Sequence, residues 1–197
     1  MFPGTQPSTR LHRARRAARA VVWALGLCCM IGSGLVAPRA SAQPAPTPMG
    51  EYAVKAAILF NLFKFVEWPD SVAGASSYQL CLVGNDPFGE AFNGILGKMI
   101  GNKPVTVRRN VRREDARTCH MLYLSEDDER LNRAMLTEVA RHPVLVVADA
   151  GTGAEMIQLV RQDDRMGFEV NLEAAQPANL RFSAQLLKLA RQVKGRQ

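Results

Sequence analysis

The 197 residues, 47% hydrophobic and 22% charged, allow one globular domain and exclude collagen-like, coiled-coil and wholly disordered chains. The net charge of +7 is concentrated at one end, because residues 1–42 carry Arg10, Arg13, Arg15, Arg16, Arg19 and Arg39 with no Asp or Glu, and the remaining 155 residues hold 19 basic against 18 acidic groups. With a body charge of +1, no electrostatic footprint for nucleic acid remains.

The first 42 residues read as an export signal. A basic stretch is followed by the apolar run Ala20 to Ile31, and the small residues of Ala40-Ser41-Ala42 suit cleavage after Ala42. The alternative, a permanent anchor, needs about 20 apolar residues, whereas the stretch from Ala20 to Ala37 includes Gly and Ser. Arg15-Arg16 lacks the apolar follow-up of a twin-arginine signal, and Leu27 before Cys28 is too large for a lipidation site. Cys28 and Cys29 fall in this segment, which leaves Cys81 and Cys119 as the pair of the exported chain. An oxidising compartment and an even count point to a disulfide, with two buried thiols as the alternative.

Residues 43–49 form a Pro-rich lead with nothing to bury. The segment 50–67 is helical in composition and stopped by Trp68-Pro69. Its apolar side chains cover nearly the whole helical circumference, so it is expected to be buried on more than one side, either as a core helix alone or as one that also supplies a partner or dimer surface through Tyr52, Phe60, Phe63 and Trp68. A strand follows over 78–84, then a helix over 85–97 with Asp86 as N-cap and Pro87 at its first position. Strands are expected over 103–109 and 119–124. Ser125 with Asp128 resembles a capping box opening a helix over 127–141. The unbroken apolar run 143–148 suits a central strand, and 156–161 with 165–171 suit a hairpin turning at Asp163-Asp164. Ser183 caps a last helix through Val193, with Leu186, Leu187, Ala190 and Val193 inward. Alternating strands and helices closed by a hairpin predict a single compact α/β domain over 50–195, its sheet mainly parallel.

Chemistry-bearing groups are sparse. His120 lies within a strand and His142 precedes Pro143, no Gly-x-Ser-x-Gly elbow occurs, and no Cys/His spacing suits zinc, so neither an enzymatic role nor a metal or cofactor is expected. The turns at Gly84 and at Asp149 to Gly153 lie at carboxyl ends of strands, where open sheets bind ligands, but lack phosphate-loop glycines and lysine. Arg181 precedes the N-cap Ser183, where a helix dipole disfavours a cation, so it is expected to pair with a carboxylate such as Glu169 or to hold an anionic ligand group. The acidic run 126–129 and the basic pairs Arg108-Arg109 and Arg112-Arg113 read as solvated charge able to orient a partner.

Taken in order, six stretches resemble the YfiR-like periplasmic proteins. They are Glu51-Tyr-Ala-Val-Lys-Ala-Ala with Phe63-Lys-Phe-Val-Glu-Trp-Pro69, Leu80-Cys-Leu-Val-Gly-Asn-Asp-Pro-Phe-Gly89, Cys119-His-Met-Leu-Tyr-Leu124, Pro143-Val-Leu-Val-Val-Ala-Asp149, Phe168-Glu-Val-Asn-Leu-Glu-Ala-Ala175 and Leu180-Arg-Phe-Ser-Ala-Gln-Leu-Leu-Lys-Leu-Ala190. The chain departs at Gly153-Ala154, where the family usually has paired glycines, and at Gly167, where a basic residue is common. The resemblance implies a non-enzymatic periplasmic repressor acting on the sensor region of an inner-membrane diguanylate cyclase, keeping cyclic di-GMP low and sequestered by an outer-membrane lipoprotein. Cys81 and Cys119 match the family's shared cysteine pair, while a second pair is lacking. A homodimer is expected. The rival readings are a periplasmic small-ligand module around Arg181, serving another membrane sensor or transporter, and a hydrolase.

Overall fold

A computed structural model describes residues 48–125, 128–149 and 151–196; the expected signal and most of the Pro-rich lead lie outside them. Helix α1 (Pro48–Phe65) leads into β1 (Val66–Glu67), the short α2 (Asp70–Ala73) and β2 (Tyr78–Val83). After a 3-10 turn at Gly89–Gly94 come β3 (Met99–Ile100) and β4 (Lys103–Arg108). A second 3-10 turn at Arg113–Thr118 precedes β5 (Met121–Leu124), α3 (Glu129–Val139) and β6 (Leu145–Ala148). The chain then forms β7 (Ile157–Gln162), β8 (Arg165–Asn171), α4 (Leu172–Ala175), β9 (Arg181–Phe182), α5 (Ala184–Leu189) and β10 (Val193–Lys194). The result is the expected α/β domain: an eight-stranded sheet in the order β10-β8-β7-β6-β5-β2-β4-β3, parallel from β7 through β4. The pairs β7–β8 and β3–β4 are antiparallel.

Period-two alternation explains why the sheet carries a core on each face. Leu80 and Leu82, Met121 and Tyr123, Leu145 and Val147 join one buried cluster, with Leu59, Leu62 and Phe63 of α1 and Phe92 of the first 3-10 turn. Their strand neighbours Cys81 and Val83, Leu122 and Leu124, Val146 and Ala148 join the other, under Met135 and Val139 of α3 and Ala116 of the second 3-10 turn. Every residue of β5 and β6 is therefore buried, which is why these strands read as apolar runs. At the hairpin, Asp163 and Asp164 both take positive φ, 48° and 58°, the pattern of a two-residue turn whose twist matches the strands it joins.

Four expectations about element ends need correction. No α-helix forms over 85–97. Asp86 does cap, its Oδ1 accepting from the amides of Phe88 (2.8 Å) and Gly89 (3.2 Å). The segment then closes as the 3-10 turn because Gly89 and Gly97 sit at φ 48° and 71°, outside the helical region. The cap of α3 is Asp128 alone, accepting from the amides of Arg130 and Leu131, while Ser125 donates from its hydroxyl to Val83 O at 3.2 Å. The first helix stops at Phe65 because Val66 and Glu67 pair antiparallel with Phe182 and Arg181. Ser183 caps α5 as expected, accepting from Leu186 N, but the helix ends at Leu189, and Val193 is 40% exposed. The tail instead supplies the backbone groups that the outer edge of β8 needs: Arg191 N donates to Phe168 O and Val170 N to Gln192 O, both at 2.9 Å. A Cβ at Gly167 would meet the flexible Arg191 side chain, which would have to move aside.

Candidate functional site: the first helix and the edges it bridges

The faces of α1 separate by depth. Ala56, Leu59, Leu62 and Phe63 are buried in the core. Tyr52 and Phe60 flank them on one side and Ile58 and Phe65 on the other, all half-buried. The outward face is Ala53, Val54, Ala57, Asn61 and Lys64, small and polar for the most part. The expected partner residues are thus split. Phe63, 1% exposed, belongs to the interior and can meet no partner in the folded chain. Its ring lies 6.1 Å from Trp68 and 5.2 Å from Tyr78. Trp68 donates from Nε1 to Phe63 O at 3.3 Å and stands edge-on to His120 at 5.7 Å. Tyr52 meets the Phe88 ring edge-on at 5.3 Å. Phe60 lies under two ammonium groups, Lys64 at 4.5 Å and Lys98 at 6.0 Å. On the opposite flank, Ile58, Leu62 and Phe65 line an open apolar groove of about 370 Å³ with Phe168, Leu186 and Leu189. Leu189, 61% exposed, forms its lip. Neither Leu186 nor Phe168 adjoins α1 in sequence, so the groove has no linear signature.

Lys55 is the feature that sequence reasoning passed over. It sits on the buried face of α1 at 6% exposure, bonded from Nζ to Asp149 Oδ2 (2.6 Å) and Glu51 Oε1 (2.9 Å), and Glu51 Oε2 accepts from Arg161 at 2.7 Å. Burial alone would lower the ammonium's affinity for its proton, but the hydrogen bonds to Asp149 and Glu51 and their negative charges outweigh it and move the Lys55 pKa up. The Lys55 hydrogen bond correspondingly holds the Glu51 carboxyl below its usual range. This network ties α1 to the carboxyl end of β6 and to β7. A lysine among apolar positions of an all-round apolar helix was the available signal, since a buried charge demands a partner.

Cys81 and Cys119 form the disulfide, Cα atoms 6.0 Å apart, buried in the cluster under α3. Arg181 is exposed at the end of β9 opposite Glu67 and makes no ion pair among the described residues, while Glu169 faces Gln158 across the hairpin. The expected Arg181–Glu169 bridge is therefore absent, because the turn after α4 sends the two residues to different sheets. Three of the four arginines in the basic pairs meet carboxylates and are not free steering charge. Arg108 meets Asp115, Arg109 meets Asp86, and Arg113 and Arg117 clamp Glu138, holding its carboxyl below the ordinary range. The turn at Gly151–Gly153 closes on the Glu155 carboxylate, which accepts from Thr152 N, Thr152 Oγ1 and Gly153 N. His120 accepts from Gln79 N at its Nδ1 (3.3 Å) and is 6% exposed; burial, then the charge of Lys103, lowers its pKa.

Among the described residues no three His, Cys, Asp or Glu converge on a metal-sized site, and no helix is long and apolar enough to cross a membrane. The arrangement offers recognition surface: an apolar groove on one side of α1 and lysines over aromatic rings on the other. The profile of a family described as YfiR/HmsC-like matches residues 52–191, from the first helix to the arginine that anchors the tail. Members of that family are periplasmic regulatory proteins. With more than half of its length matched, including both cysteines of the disulfide and every strand from β1 to β9, the chain belongs to the YfiR/HmsC-like family.

Proposed function

We propose that the protein is exported, cleaved after Ala42, and binds the periplasmic sensor region of an inner-membrane diguanylate cyclase, holding it in its inactive state and lowering cyclic di-GMP. Family membership over residues 52–191 carries this reading. The groove beside α1 supports it physically, for an open apolar trough between two helices suits an amphipathic segment of a partner. Such a repressor needs no active site. A two-state receptor moves only as far as its ligand's differential affinity for the two states. In the same reading α1 contributes to a homodimer, and an outer-membrane lipoprotein sequesters the repressor. The test is cyclic di-GMP in cells with and without the gene, alongside recovery of the cyclase on tagged mature protein. Deletion should raise the nucleotide, and Leu189→Asp at the groove's lip should mimic deletion while leaving the protein folded. Unchanged levels with no cyclase recovered would favour the second reading, supported by the volume and apolarity of the same groove: a small-ligand module serving another membrane sensor or transporter.

A further inference from the structure

From Ala91 to Arg113 the chain has six basic residues and no acidic one. Three of the arginines are neutralised by carboxylates from elsewhere, Arg108 by Asp115, Arg109 by Asp86 and Arg113 by Glu138. The lysines are used differently. Lys98 lies over the Phe60 ring together with Lys64, and Lys103 lies over Tyr78 at 5.3 Å. Neither Lys64 nor Lys98 makes an ion pair among the described residues. Beside them Leu96 and Met99 are 40% and 54% exposed, two of the few large apolar side chains so placed. Gly97 and Gly101, at φ 71° and 61°, make the tight turns that carry Lys98 to Ile100 out along the free edge of the sheet.

We propose that this edge docks peripherally on an anionic phospholipid surface, with Leu96 and Met99 entering the headgroup boundary and Lys64, Lys98 and Lys103 meeting lipid phosphates. The chemistry is that of an interfacial anchor: exposed apolar side chains ringed by long cationic ones whose stems bury while their heads reach phosphate. A protein strand is the poorer occupant, because β3 has two residues, one of them registered against Pro104, too short an edge to template an added strand. A second copy would set like charges against each other. With a body charge of only +1, the attraction is local to this edge and acts within about 8 Å at physiological salt. The surface lies on the Phe60 flank of α1, away from the Ile58–Phe65 groove, so both can be occupied at once.

Sedimentation of the oxidised mature chain with vesicles tests this. It should bind phosphatidylcholine vesicles containing phosphatidylglycerol, not phosphatidylcholine alone, and be released by high salt. Lys98→Gln should weaken partitioning about fivefold, the equivalent of one lysine near a charged surface, and Met99→Asp should weaken it further. Both positions are exposed, and an unchanged melting temperature confirms the fold. Lys188→Gln, on α5, should have no effect. Equal binding to both vesicle types, no binding to either even where a purified receptor is bound, unaltered binding by Lys98→Gln, or an equal loss with Lys188→Gln would each overturn the proposal.

Discussion

Breaking the Cys81–Cys119 bridge should remove much of the stability of the domain. The bond joins residues 38 apart, and the loop it closes contains β3, β4 and both 3-10 turns. On the chain-entropy relation, a loop of that length restricts the unfolded chain by about 4 kcal/mol at room temperature. Both cysteines lie inside a packed cluster with Val111, Ala116 and Leu122, so the folded state loses little further order when the bond opens, and the effect falls on the unfolded state. Against a total stability of about 5–15 kcal/mol, that loss amounts to a fall of about 8–16 °C in melting temperature at about 2–4 °C per kcal/mol for a domain of this size. Urea unfolding with and without a strong reductant measures it, with Cys81→Ala/Cys119→Ala as the second arm. The midpoint should fall by about 2 M if the urea slope is about 2 kcal/mol/M. A loss below about 1 kcal/mol in both arms with unchanged slope would refute the reasoning, because it would mean the loop is already restrained in the unfolded chain.

The ion-pair network and the buried imidazole give two further tests. Lys55→Ala leaves the Asp149 carboxylate without its cation and should cost about 3–5 kcal/mol in urea unfolding, while Lys55→Met, which keeps the apolar stem, paired with Glu51→Gln and Asp149→Asn should recover most of it; equal losses in both would show that an unpaired buried carboxylate is not the source of the cost. The lowered pKa of His120 means that the folded state prefers the neutral ring. The stability it contributes is complete above about pH 6.5 and is lost as pH falls through the folded value. His120→Gln should flatten the fall in urea midpoint between neutral pH and about pH 5, and an imidazole titrating at or above the ordinary range by NMR would contradict this.

What sequence alone determined were the features set by neighbours along the chain. The unbroken apolar run 143–148 reported a strand buried on both sides, because side chains switch faces at every residue. Asp163-Asp164 between two alternating runs marked the hairpin, and Ser183 marked a helix start, since turns and caps are closed by atoms within a few positions. The cysteine pair was found from compartment and count. Only tertiary structure decided the rest. A helix apolar on all sides carries no directional signal, so Phe63 and Phe60 were equivalent until the sheet took one and left the other beside Lys98. Lys55 found Asp149 94 residues away, a separation at which no local pattern survives. The tail after Leu189 has helical composition, yet its backbone went to the open edge of β8, because an unpaired strand edge outweighs a weak propensity at a helix end. Arg181 was parted from Glu169 for a related reason: their separation depends on which of two sheets each strand joins, and that is decided by pairing across the fold.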